Sequence, residues 1–132
     1  MNTDEITEKI IGCAYTVANE LGAGFLEKVY ENALCIELTG QGLQVSQQQP
    51  IVVKYHDQVV GEYFADLIVE AAVIIELKAV RSIDPVHQAQ LLNYLKATGI
   101  HTGLLLNFGT PRLGIKRTVN GTDNNLTTDK SR

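Results

Sequence analysis

In the stretch VIIELKAV, Val73 to Val80, a carboxylate at Glu76 and an ammonium at Lys78 interrupt a strongly hydrophobic run. Such a run specifies a strand buried on both faces, where an ionised group is expensive unless it is paired or coordinated. Asp66 stands on the preceding β-rich segment, in FADLIVEAAVIIELKAV. If Glu70 to Ala72 form the loop of a hairpin, Val69 pairs with Val73 and Asp66 falls directly across from Glu76. Opposed residues of an antiparallel pair point to one face, with Cβ atoms about 5 Å apart, and strand alternation adds Lys78 to that face. Like charges so placed repel, and each raises the pKa of the other unless a cation sits between them. A hard divalent ion, held by carboxylate oxygens and water, resolves the conflict. The alternative is a surface ion pair of Lys78 with Glu76, with Asp66 near a strand end.

These groups need elements to hold them. Asp4 to Leu21 has a helical stripe of Ile6, Ile10, Ala14, Val17, Ala18 and Leu21, which Gly22 is placed to stop. A second helix is expected from Phe25 to Leu38, with Leu26, Val29, Ala33 and Leu34 as its apolar face. Leu43 and Val45 then alternate with polar neighbours, and Ile51 to Tyr55 is β-rich. His56 to Gln58 reads as a turn, Val59 to Val69 and Val73 to Val80 as strands. Asp84 as N-cap, Pro85 at the first helical position and Gly99 at the end punctuate a third helix. Thr102 to Phe108 is a buried strand and Leu113 to Val119 a more exposed one. The order predicts an α/β sandwich with a mixed sheet.

A chain of 132 residues fits one domain with a real core. Acidic residues outnumber basic ones 15 to 11, a net charge of −4. That balance excludes a general nucleic-acid coat, so any polyanion must be met by a metal or a local basic patch. Arg81, Lys96, Arg112, Lys116 and Arg117 are the candidates for such a patch. Cys13 and Cys35 read as thiols in a reducing cytosol, or else as a disulfide or metal pair. The polar, acidic start is no signal peptide, and no apolar run approaches the ~20 residues of a membrane span. A cytoplasmic protein is expected, in which the two Asn-x-Thr sequons carry no meaning.

The segment GAGFLEKVYENAL places Gly24, Glu27 and Tyr30 in the spacing G-x-x-E-x-x-Y. It resembles the signature of the GxxExxY family of the PD-(D/E)XK nuclease superfamily. The likeness continues through FADLIVEAAVIIELKAV, HQAQLLNYLKATG and GLLLNFG, roughly Ile6 to Val119. It implies a restriction-endonuclease-like αβββαβ core, a mixed central sheet flanked by helices. Residues 1–119 would form the single nuclease-like domain and residues 120–132 a polar, frayed tail.

The resemblance also implies roles. Asp66 and Glu76 become ligands of Mg²⁺ or Mn²⁺, Glu27 the acidic residue that the preceding helix adds to the metal site, and Lys78 the lysine of Glu-x-Lys. Gln90 and Tyr94 become the Gln-x-x-x-Tyr of the following helix, positioning substrate, so that the catalytic set is Lys78, Glu76, Asp66 and Gln90. The residue before Asp66 is Ala65 where the pattern has proline, a departure that concerns strand shape rather than chemistry. The implied activity is hydrolysis of phosphodiester bonds in nucleic acid, DNA first and RNA second. The alternative is a module of the same fold, with negligible turnover, that binds nucleic acid or a protein partner. A third reading is a structural protein in which the cluster only stabilises the fold. The small size points to a homo-oligomer or a protein partner for specificity.

Apart from the motif, Glu27 reads as an exposed residue pairing with Lys28 or Lys54. Gln90 and Tyr94 read as a helix flank, His87 as a phosphate contact or a solvated side chain, and Tyr30 as core.

Overall fold

A computed structural model of the chain describes residues 1–121. The polar-tail reading therefore lies outside the described residues, except for Asn120 and Gly121, and the Asn120 N–H is bonded to the His101 carbonyl. The elements are α1 (Thr3–Leu21), α2 (Glu27–Gly40), β1 (Val45–Tyr55), β2 (Gln58–Val69), β3 (Val73–Lys78), α3 (Pro85–Thr98), β4 (Thr102–Asn107) and β5 (Gly114–Val119). They build one five-stranded sheet in the order β1-β2-β3-β4-β5. Every neighbouring pair is antiparallel except β3 with β4, and that parallel pair is connected through α3.

Alternation along β3 and β4 explains the layering. Val73, Ile75, Leu77, Leu104 and Leu106 enter one core with Ile6, Ile10 and Val17 of α1 and Tyr30, Leu34 and Leu38 of α2. Ile74 and Leu105 enter a second core with Leu91, Tyr94 and Leu95 of α3. The sheet is thus sandwiched between two helices and one, the flanked mixed sheet that the order of elements implies. No described helix is long and apolar enough to cross a membrane. Cys13 is buried and Cys35 partly so, and both are free thiols.

Two expectations about α2 are corrected. It begins at Glu27 rather than about Phe25: Leu26 is its extended N-cap residue, with ψ 159°, and the Phe25 N–H is bonded to the Tyr30 hydroxyl at 3.1 Å. The same hydroxyl donates to the Gly22 carbonyl at 2.6 Å, so Tyr30 closes the α1–α2 connection from within the core. Gly24 in that connection has φ 118°, a conformation glycine adopts without a Cβ clash. This geometry accounts for the glycine and the tyrosine of the G-x-x-E-x-x-Y spacing. The inward face is also rotated. Leu26 is 81% exposed and Val29 is exposed, whereas Tyr30, Glu31, Leu34 and Leu38 are buried.

Candidate functional site

The hairpin register is the expected one where β2 and β3 pair: Val69 with Val73, Ile68 with Ile74, Leu67 with Ile75. Regular pairing then stops, one residue short of Asp66 and Glu76. Their carboxylates take over from the ladder. The Asp66 N–H donates to Glu76 Oε2 at 2.9 Å, and the Leu77 N–H donates to Asp66 Oδ2 at 2.9 Å. Each side chain thereby satisfies a backbone donor of the opposite strand, which fixes both carboxylates at the point where the strands part.

This proximity is costly. Glu76 is 7% exposed. Burial, then the Asp66 charge, pushes its carboxyl up from 4.5 to about 8, with the Lys78 ammonium acting in the opposite direction. Burial also pushes Asp66 up, offset in part by the Leu77 N–H and reinforced by Glu31. The two acids cannot both be ionised cheaply without a cation.

Strand exit is fixed just beyond Lys78. The Asn107 side chain, opposite Lys78 in the parallel register, accepts from the Val80 N–H and donates to the Val80 carbonyl, both at 3.0 Å. Gly109 lies against the same backbone, and a Cβ there would meet the Val80 nitrogen at 2.3 Å. Lys78 itself is partly buried. It takes no part in the two ion pairs among the described residues, Lys28–Glu31 and Asp4–Arg117.

The acid that α2 buries beside the cluster is Glu31. It is 3% exposed. It accepts from Gln47 Nε2 at 2.8 Å, Gln48 Nε2 at 3.1 Å and Lys28 Nζ at 3.1 Å. Glu27, one turn earlier, is exposed on the first turn of α2, and its charge still raises the Asp66 carboxyl slightly. Gln48 was not foreseen. Its amide bridges Glu31 to Asp66 Oδ1, the latter at 3.2 Å. Its φ of 53° breaks the β1–β2 ladder between Gln47–Leu67 and Gln49–Ala65. A non-glycine residue held in the left-handed region costs about 1–3 kcal/mol, and such residues cluster at functional sites.

On α3, Tyr94 is nearly buried and its ring centroid lies 5.7 Å from that of Tyr63. Burial, then the charges of Glu76 and Asp66, pushes its hydroxyl up to about 12. Gln90, one turn earlier, is partly buried. His87 is a capping residue: its Nδ1 accepts from the Asp84 N–H at 3.3 Å. Two residues of the expected basic patch lie on different elements. Arg117 of β5 is committed to Asp4 of α1 at 3.2 Å, and Lys96 lies on α3.

The donor set fits a divalent ion. Two carboxylates, crowded and raised in pKa, have an oxygen each beyond those held by backbone N–H groups. Mg²⁺ takes one or two carboxylates and keeps several waters; among the described residues no group of three or more His, Cys, Asp or Glu is placed to hold a metal ion.

A family model described as the PD-(D/E)XK nuclease superfamily matches residues 4–118. Among solved structures, the crystal structure of SSO0001 is similar to this chain with a TM-score of 0.57 and 21% sequence identity. The match covers 92% of this chain and 61% of that one, so this chain spans less than two thirds of its length. At that identity the likeness concerns the fold, which is restriction-endonuclease-like. No curated protein matches.

Proposed function

This chain belongs to the PD-(D/E)XK nuclease superfamily, and from that premise we propose that it is a metal-dependent nuclease of the GxxExxY group, hydrolysing phosphodiester bonds in DNA. Nucleases of this superfamily use divalent metals and act on nucleic acid. The observation that carries the reading is the pair Asp66 and Glu76, each bonded to the other strand's backbone where β2 and β3 part.

Asp66 and Glu76 hold Mg²⁺ or Mn²⁺ through their remaining oxygens. Glu27, exposed and within electrostatic reach of Asp66, joins them through water. The bound ion would supply an activated water and neutralise charge on the leaving oxygen. Lys78, fixed by the Asn107 clamp on Val80, stabilises the charge that develops on the phosphate. Gln90 offers its amide to the phosphate, and Tyr94 packs beside it and sets its position. Residues 1–119 act as one module. Free thiols at Cys13 and Cys35 suit a reducing compartment, and we place the protein in the cytoplasm. With no recognition element described beyond the sandwich, specificity would come from a second copy or a protein partner.

The test is a cleavage panel of single- and double-stranded DNA and RNA in Mg²⁺, Mn²⁺ and EDTA, with wild type and Asp66→Ala. Cleavage is expected in one of the metals, abolished by EDTA and by the substitution. Binding without cleavage of every substrate overturns the nuclease reading in favour of a binding module.

A further inference from the structure

A groove opens on the α3 side of the sheet, with Tyr94 of the second core in its wall. It lies between the β1–β2 hairpin and α3 and encloses about 870 Å³. Val52, Lys54 and Tyr63 wall it on the hairpin side, and Gln90, Tyr94 and Lys96 on the helix side. The hairpin can form such a wall because β1 and β2 run 11 and 12 residues against 6 in β3. Beyond Leu67, β2 has no partner in β3, so the outer hairpin extends past the edge of β3, with β1 packed against α3.

Three features of the groove point to its occupant. Tyr63 is 47% exposed although it neighbours the nearly buried Tyr94, so much of its ring is open to a ligand. The lining contains two ammonium groups and no carboxylate, in a protein whose net charge is −4. Glu62, the nearest acid along the hairpin and the cross-strand partner of Val52, stands outside the lining. Finally, Tyr94 lines the groove and packs in the α3-side core with Ile74, and Glu76, two residues further along β3, lies on that same face, so the groove runs toward the acidic pair. Its volume is that of a small-molecule cleft, roughly 300–1,000 Å³. It therefore accommodates one or two nucleotides of a strand and not the body of a duplex.

We propose that this groove receives a single strand of nucleic acid on its way to the acidic pair, with a base stacked on Tyr63 and adjacent phosphates met by Lys54 and Lys96. Aromatic stacking combined with a positive groove is how proteins hold single strands without reading sequence. The proposal rests on the nuclease reading and adds to it the strandedness of the substrate.

The experiment measures binding of a fluorescently labelled oligothymidylate, and of a duplex of the same length, in Ca²⁺ by anisotropy. It compares wild type, Tyr63→Ala, Tyr63→Phe and the double variant Lys54→Ala/Lys96→Ala, with melting curves as the folding control. Tyr63→Ala should weaken strand binding about tenfold or more, the size of one base–aromatic stack, while Tyr63→Phe retains it. Loss of both lysines should reduce the slope of log K against log salt by about 1.4, two phosphates' worth on a single strand. Duplex binding should be weaker and indifferent to Tyr63. Equal strand affinity in wild type, Tyr63→Ala and the lysine variant overturns the proposal, as does a preference for duplex. A dimer that dissociates when Tyr63 is replaced, without any change in strand binding, also overturns it and makes the groove a contact between copies. Cleavage in Mn²⁺ with KM unchanged in Tyr63→Ala removes the groove and leaves the nuclease standing. Tyr63-dependent strand binding with no cleavage by the wild type removes the nuclease and leaves the groove.

Discussion

Replacing Glu76 by glutamine should stabilise the metal-free protein, and the gain should grow with pH. The Glu76 carboxyl is raised from 4.5 to about 8, by burial first and the Asp66 charge second. Below 4.5 the group is protonated in both folded and unfolded chains, so the repulsion costs nothing. As pH rises toward 8 the unfolded chain releases this proton while the folded chain retains it or bears the buried charge. The unfolded state then binds fewer protons, and stability falls across that window. At about 1.4 kcal/mol per pKa unit the ceiling is about 5 kcal/mol. Asp66 is raised too and titrates with Glu76 as a pair, so on the order of 3 kcal/mol is the expected loss. For a domain of this size that is about 10 °C in melting temperature.

The assay is a set of thermal melts of wild type and Glu76→Gln in EDTA, from the ordinary carboxylate range to slightly above pH 8. Glutamine keeps the oxygen that accepts from the Asp66 N–H and removes the charge. The variant should match the wild type at the acid end and melt about 10 °C higher at the alkaline end. Millimolar Mn²⁺ should restore the wild type at high pH, by about 2.7 kcal/mol at a hundredfold excess over Kd, and do little for the variant. A difference between the two proteins that is flat across the window refutes the argument that repulsion between Asp66 and Glu76 strains the metal-free fold.

Substitutions at three other positions probe separate parts of the site. Lys78→Ala should leave Mn²⁺ binding by calorimetry intact and slow single-turnover cleavage about 10²-fold or more, typical of one lost preorganised charge; parallel losses of ion and rate would make Lys78 structural. Gln48→Ala should destabilise the metal-free protein in urea by about 1.5–3 kcal/mol, because Glu31 and Asp66 lose a shared donor. Gln48→Gly should recover roughly 1 kcal/mol of that loss by relieving the left-handed backbone; equal urea midpoints for the two variants would deny the strain. Gly109→Ala should cost more than about 3 kcal/mol by denaturant unfolding, since the added carbon overlaps rigid Val80 backbone rather than a side chain that can yield.

The sequence carried the parts of this structure that follow from period and punctuation. Asp84, Pro85 and Gly99 bound the third helix as their chemistry dictates, and the loop at residues 70–72 sets the register of Val69 with Val73. What escaped was whatever depends on a side chain replacing backbone. A count of opposed residues places Asp66 across from Glu76, but it does not reveal that the ladder ends at Leu67 and that the carboxylates take over its donors. On α2, Tyr30, Ala33 and Leu34 were read as inward and are, but Leu26 and Val29 were misplaced because both are apolar. The chain connection, stapled by the Tyr30 hydroxyl, fixes the face, and Tyr30 carries Glu31 with it into the space beside Gln48. A signal for Glu31 existed in its place between Tyr30 and Leu34, two residues that any inward face of this helix must contain.

Several unfavourable features of the molecule gather in one place. A glutamine in a left-handed conformation, two raised carboxylates and a third buried acid all lie where β1, β2 and β3 diverge. The apolar cores on both faces of the sheet do not include them. A chain selected for stability alone would fill Asp66 and Glu76 with apolar residues of similar volume, a replacement that is often neutral or stabilising for buried charges. Retaining acids there, while fixing the neighbouring backbone with Asn107 and Gly109, makes physical sense for a site that must hold a cation in one position. On the proposed reading, the strain in the hairpin and the fixed strand exit beside Lys78 serve one requirement: carboxylates whose repulsion an ion would relieve, beside backbone held by Asn107 and Gly109.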